Sequence, residues 1–411
     1  MPALFVAPLT GVLLLMILPF AHAAEPLTLT RAEELALSHA PGLRHHQTNV
    51  AAAAERGVYE GRLPDPQLTL GAVNVPTDSF SLRDADMTML MVGVRQAFPP
   101  GDTLAARERR AQRELSREEA QLEIERRALR KLIRALWLEL WLQERSIGVV
   151  ETSRALQQRA LSAAEGRYRA AQERQQEVLR ARQAIARLDE RALMLKAQAA
   201  RLRAQLTRFV GAATNDPLPP ALPELPALSA DFDAAQHPEW LAAQAGLEVA
   251  QAEVALTREE YKPGMMFDLS YGVRQNAPTG MNRSDMVTAM VTFDLPLFRA
   301  KRQDRRLAEK QALETAARFT SEDKRRELEA MHAAARAEHE ALAARVRVIA
   351  EQLLPNARRE AEVTIAGFVR DANELREAQM KTLDAELDLI RLRVELAKSH
   401  AELLYLTGEP N

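Results

Sequence analysis

The chain contains no cysteine. That excludes disulfides, thiolate metal sites, thiol nucleophiles and a lipid carried on an N-terminal cysteine. Beyond the first two dozen residues no stretch reaches 18 apolar residues, so nothing there reads as a membrane-spanning helix. Neither sign of charge prevails: 55 basic and 57 acidic residues leave a net charge of -2. The two signs are interleaved without a basic stripe, and no nucleic-acid partner is expected. Phosphate-binding glycine loops, serine-nucleophile motifs and zincin patterns are missing, so the chain reads as a non-enzyme without a cofactor. Histidines are few: His45 and His46 are adjacent, while His332 and His339 stand seven apart rather than at the i,i+4 spacing of a helical metal pair. No metal site is expected from them. Aromatic residues make up only 5% of the 411 residues, and alanine, leucine, arginine, glutamate and glutamine fill long stretches, the composition of long packed helices.

The first segment differs from the rest. Leu9–Phe20 is an apolar run followed by Ala21-His22-Ala23, which reads as a signal peptide over residues 1–23, with the mature chain starting near Ala24 or Glu25. An exported chain without a membrane helix is expected in the periplasm, outside the cell, or in an outer-membrane barrel.

Two repeats organise the remainder. Pro41 and Pro238 are 197 residues apart, as are Pro66 and Pro263. Pro100 and Pro296, Leu179 and Leu375, and Gln183 and Gln379 are each 196 apart. Low-complexity helix would not keep its prolines in step by chance. Repeat one is set at 24–211 and repeat two at 232–408. Between them, 212–231 carries Pro217, Pro219, Pro220, Pro223 and Pro226, an extended linker that runs along something else.

Each repeat reads helix, strand, loop, strand, long helical hairpin. The strand pairs fall at 66–98 and 263–296, and the hairpins at 103–209 and 301–406. In the first pair Leu68, Leu70 and Ala72 alternate with Gln67, Thr69 and Gly71, then Val92 and Val94 with Gly93 and Arg95. In the second, Met265, Phe267, Leu269, Tyr271 and Val273 alternate with Asp268, Ser270 and Gly272. Val287, Ala289, Val291, Phe293 and Leu295 then alternate with Thr288, Thr292 and Asp294. Alternation marks strands with one apolar face, and segments of about ten residues suit a tilted strand in a bilayer. The same register puts Met87, Met89, Met91, Arg95, Met286, Met290 and Asp294 on the opposite, lumen-facing side. Tyr271 is expected at a membrane interface.

No proline occurs between Thr103 and Pro217, and Asp102 stands at the expected N-cap. Leu115, Leu122, Leu129 and Leu136 keep a seven-residue spacing, as do Leu328, Ala335, Leu342 and Ile349, which predicts a coiled-coil seam in each repeat. Pro355 should kink or end a helix. Chain reversals are expected near Ala171–Gln176 and Gly367–Asn373, and glycine stops at Gly211 and Gly408. Trp137, Leu140 and Trp141 read as seam packing.

Four strands cannot close a barrel, and open edges are not tolerated in lipid. Closure needs other copies; three chains would supply twelve strands around a water-filled interior.

Leu63-Pro64-Asp65-Pro66-Gln67-Leu68, the paired hairpins and Ile365-Ala366-Gly367-Phe368 resemble the TolC-type outer-membrane efflux factors. Leu63–Pro76 and Arg95–Asp102 resemble the heavy-metal branch, which serves cobalt-zinc-cadmium and copper-silver pumps. The resemblance implies a mixed, mainly helical fold. It further implies a homotrimer with a twelve-stranded barrel in outer-membrane lipid and a periplasmic α-helical barrel. The implied partners are a periplasmic adaptor and an inner-membrane pump of the resistance-nodulation-division type. Gly367, Phe368 and Val369, with Arg167, Tyr168 and Ala171 in repeat one, become candidates for adaptor docking at the tips. Asp371, Glu374 and Glu377 become candidates for an acidic gate ring, although the stretch Asn373-Glu374-Leu375-Arg376-Glu377 departs from the family's aspartate ring. The competing reading is a periplasmic coiled-coil adaptor or scaffold without a barrel.

Overall fold

The computed structural model describes residues 25–229, 231–366 and 372–408. The expected signal segment and Gly367, Phe368, Val369 and Asp371 lie outside the described residues. Helices α1 (Leu29–His39) and α2 (Pro41–Glu60) precede strands β1 (Gln67–Val73) and β2 (Met89–Phe98). Then come α3 (Thr103–Arg169) and α4 (Gln175–Val210). After the linker, α5 (Pro238–Glu259) leads into β3 (Gly264–Val273), β4 (Met286–Asp294) and α6 (Gln303–Val348), and α7 (Leu354–Ala366) and α8 (Ala372–Thr407) follow. Pro41 and Pro238 each sit in the first turn of their helix, where a missing N–H costs nothing.

The 67 residues of α3 rise about 100 Å at about 1.5 Å per residue, far longer than a globular core requires. The chain reverses where Ala171 adopts φ +59°. The Gln172 N–H reaches back to the Arg167 carbonyl at 2.9 Å, satisfying a carbonyl the helix end leaves open. Gly211 and Gly408 end α4 and α8 with φ of +63° and +81°, conformations a Cβ disfavours. Asp102 stands at the N-cap of α3 but its side chain caps nothing; the Glu259 carboxylate accepts its N–H at 2.7 Å. Glu259 of α5 thus satisfies the backbone N–H of Asp102, while the first-turn N–H groups that its side chain was expected to cap receive nothing from it. Ahead of Pro355 the helix widens into one π turn, Ile349–Leu353, the adjustment that makes room for a ring with no N–H to donate.

The main core gathers around α3. Ile133, Trp137, Leu138 and Leu140 are buried against Leu29, Ala32 and Ala36 of α1, Leu202 and Leu206 of α4, and Val394 of α8. Leu218, Leu222 and Leu225 of the linker pack on the same cluster. Trp137 and Trp141 donate their indole N–H to the carbonyls of Leu27 (2.8 Å) and Pro219 (3.0 Å), so the extended segments are strapped to the helices. In α6 the seam residues Leu328, Ala335 and Leu342 are all buried. In α3 only Leu129 of the heptad set is buried, because the buried stripe moves to Ile133, Trp137 and Leu140 where α1 and the linker cover it.

The four strands form one antiparallel sheet in the order β1-β2-β3-β4. β2 and β3, separated by the whole of α3, α4 and α5, pair directly from Leu90 with Val273 to Phe98 with Met265. One face carries Leu68, Leu70, Val92, Val94, Leu269, Tyr271 and Val291 in register across the strands. Its side chains are splayed, with Leu70 71% exposed. On the other face Met89 and Met91 are half-buried and Gly93 and Gly272 fully so, so that side is the concave one.

Candidate functional site

The concave face brings together most of the expected lumen residues. Arg95 of β2 donates to the Asp268 carboxylate of β3 at 2.5 Å, and Met290 of β4 stands directly opposite Asp268. Met91 and Met286 both stand opposite Gly272, one from each side. Met89 lies over Gly272, where a Cβ would collide with its thioether; Met89 Cγ is 3.2 Å from that position. Asp294 stands opposite Gly264 at the helical end of the sheet. Met87 departs from expectation: the ladder begins at Met89, and Met87 precedes it in the turn, its carbonyl accepting from Asn74 Nδ2 at 3.3 Å. Asn74 ends the pairing because it takes φ +54°.

Two residues of this face were missed in the sequence. Met266 was hidden by its neighbour Met265, which belongs to the opposite face. Asp268 was visible as polar alternation, but its pairing with Arg95 follows only once β2 and β3 are adjacent.

At the loop end, Arg283 donates to the carbonyls of Arg83 (2.7 Å) and Ala85 (3.3 Å) and to Asp86 Oδ1 (2.5 Å). Arg274 donates to the carbonyls of Ser284 and Asp86 at 2.6 and 3.1 Å. Two loops far apart in sequence are clasped by arginines; nothing in their composition signals it.

At the far end, Tyr168 is half exposed beside the reversal and Arg167 pairs with Glu173 at 3.0 Å. Ala171 makes the turn itself. Glu374 and Glu377 are exposed on α8, and Glu377 lies 3.6 Å from Lys381. The carboxylate that organises this end is Glu177 of α4. It accepts from Arg376 at 3.0 Å, Arg180 at 2.7 Å and Asn373 Nδ2 at 3.3 Å. Glu177 and Asn373 are 196 residues apart, the repeat offset, which is the signal that could have found them.

Where the repeats join, His237 is buried and its Nδ1 accepts the Glu239 N–H at 3.3 Å, capping α5. Burial pushes the His237 imidazole below its ordinary pKa; Glu239 opposes this, and Arg127 and Lys324 reinforce it. Glu239 accepts from the Tyr405 hydroxyl and from Lys324. Its burial works to raise its pKa, but those hydrogen bonds outweigh it and leave the carboxyl lowered. Burial and the Glu239 hydrogen bond hold the Tyr405 phenol high.

No family model and no curated protein matches the sequence. Solved structures do match in three dimensions. The outer membrane protein VceC of Vibrio cholerae superposes with a TM-score of 0.77 at 18% identity, covering 93% of this chain and 96% of VceC. CusC, described in terms of transmembrane channel formation, gives 0.78 at 16%, covering 93% of this chain and 92% of CusC. The open-state outer membrane channel MtrE of Neisseria gonorrhoeae gives 0.73 at 18%, covering 93% and 89%. The chain has the fold of these outer-membrane channels. Its long helices and four-stranded sheet are therefore two parts of one architecture, found over nearly the full length of each relative.

Proposed function

We propose that the chain is one protomer of a trimeric outer-membrane exit duct in a tripartite efflux pump. The observation that carries this reading is a sheet with two chemically opposite faces and a strand at each edge, continuous with helices about 100 Å long. A convex face of Leu, Val, Phe and Tyr suits lipid, and a concave face of Thr, Ser, Asp and Arg suits a water-filled interior. Three copies would join β4 of one to β1 of the next and give twelve strands. The two repeats, 24–211 and 232–408, would each supply one strand pair and one helical hairpin. The likeness to VceC and MtrE supports this assembly.

The tips at Arg167, Tyr168 and Ala171, with residues 367–369, would dock on a periplasmic adaptor. An inner-membrane pump of the resistance-nodulation-division type would supply the energy, the duct itself being passive. Glu374 and Glu377, repeated threefold with Asp371, would favour cations at the entrance. Heavy-metal cations are the cargo that the sequence resemblance favours.

The test is single-channel conductance of the purified protein in a planar bilayer, with cross-linking to count chains. Stepwise conductance from a cross-linked trimer is expected. Failure to insert would instead leave a periplasmic coiled-coil adaptor or scaffold.

A further inference from the structure

Eight of the 13 methionines fall within residues 87–91 and 265–290, the sheet and its loops. On the convex face the apolar work is done by Leu, Val, Phe and Tyr, with Met265 the single thioether in the paired strands. On the concave face it falls largely to methionine. The register sets Gly71, Met91, Gly272 and Met286 in one row across the four strands, so small and thioether residues alternate. Met89 leans into the space Gly272 leaves open. Neighbouring strands are about 4.8 Å apart, so Met91 and Met286 flank that space within reach of their own flexible side chains. Met89, Met91 and Met286 are all half-buried although they stand on an open sheet face.

From this geometry we infer that Met89, Met91 and Met286 form a thioether site for a soft monovalent cation, Cu(I) or Ag(I), near the loop end of the duct. The site rests on the duct reading for its role, and it narrows the cargo from heavy-metal cations in general to soft monovalent ones. Thioethers are neutral, polarisable donors that select such ions over borderline or hard divalent cations. Among the described residues no group of three or more His, Asp or Glu is placed to hold a metal ion, so a divalent cation finds no comparable donor set. Met290, four residues along β4 on the same face, supplies a next thioether toward the helices.

The test uses the full-length protein in detergent, titrated calorimetrically with Ag(I) and, separately, with Zn(II). Saturable silver binding with little zinc binding is expected. The M89L/M91L/M286L variant keeps side-chain volume and should lose silver affinity by roughly tenfold or more, given that even outer-shell changes cost metal sites about 10–100-fold. Gly272→Ala, which displaces Met89, should weaken silver in the same direction. Unchanged silver affinity in the leucine variant, or zinc bound as tightly as silver, overturns the site. Conductance of the same preparations reads the duct separately. A conducting protein that ignores silver keeps the duct and loses the site. A protein whose silver binding depends on the three methionines but never conducts keeps the site and loses the duct.

Discussion

Arg134 in α3 donates two hydrogen bonds to the carboxylate of Glu33 in α1, at 2.7 and 3.1 Å, with the guanidinium only 4% exposed. This pair fixes α1 against the middle of the longest helix. Removing either partner breaks this doubly bonded ion pair, so Arg134→Ala and Glu33→Ala should each destabilise the fold, by at most about 3–5 kcal/mol. Replacing both by apolar residues, as in Glu33→Leu with Arg134→Met, should cost less than either single change. Denaturant unfolding followed by helical circular dichroism checks the order of the three.

The two faces of the sheet predict opposite responses to the same substitution. Leu269→Arg places a charge on the convex face and should cost about 2–4 kcal/mol if that position lies near the bilayer midplane. Thr288→Arg, on the concave face and one strand over, should assemble normally. Heat-modifiable migration of outer-membrane fractions separates the two, and equal assembly of both variants would remove the lipid-facing assignment.

Acid should destabilise the fold through buried His237 and two partly buried histidines. Burial lowers the pKa of His237, of His332, which stacks on Phe232, and of His339, which shares a hydrogen bond with Ser399. The unfolded chain takes up protons first as the pH falls below about 6.5, so the folded state is fully favoured above that value and loses ground below it. The midpoint of thermal unfolding should drop between about pH 8 and about pH 5. His237→Asn keeps a side-chain acceptor for the α5 cap and should flatten that slope.

At the tips, Arg376→Ala would leave Asn373 as the α8 donor to Glu177 and would loosen α8 on α4 at that point. The expected result is a larger single-channel conductance, read in planar bilayers against the parent protein. Lys381→Ala, which frees only exposed Glu360 and Glu377, should change it little.

The sheet was legible because alternation with a period of two survives any amount of intervening helix. Leu269, Tyr271 and Val273 reveal their shared face without knowledge of their neighbours. The adjacency of β2 and β3 was not legible, since no local pattern says which strands meet, and the Arg95–Asp268 pair was lost with it. The same holds for Arg283, whose acceptors, two backbone carbonyls and the Asp86 carboxylate, lie on a loop distant in the chain. Asp102 misled because a good capping residue stood at the right position, but its backbone (φ -95°, ψ 28°) is outside the extended region from which an N-cap side chain reaches the first-turn N–H groups. The seam in α3 was half right: heptad spacing holds only while one neighbour is packed, and at Ile133 a second one arrives. Glu177 escaped attention because the acidic residues near the second tip drew it; the repeat offset pointed to it all along.

Direct pairing of β2 with β3 has a consequence for the order of events in synthesis. When the chain has been made only as far as Glu259, it holds a single hairpin, and an isolated hairpin is marginal in water. The broad apolar surface exists only after Asp294 has followed, when β3 and β4 complete the ladder. Contacts so distant in sequence also form late in folding. The part of the molecule with most reason to stick to the wrong surface is thus withheld until the first pair of long helices, α3 and α4, has been synthesised.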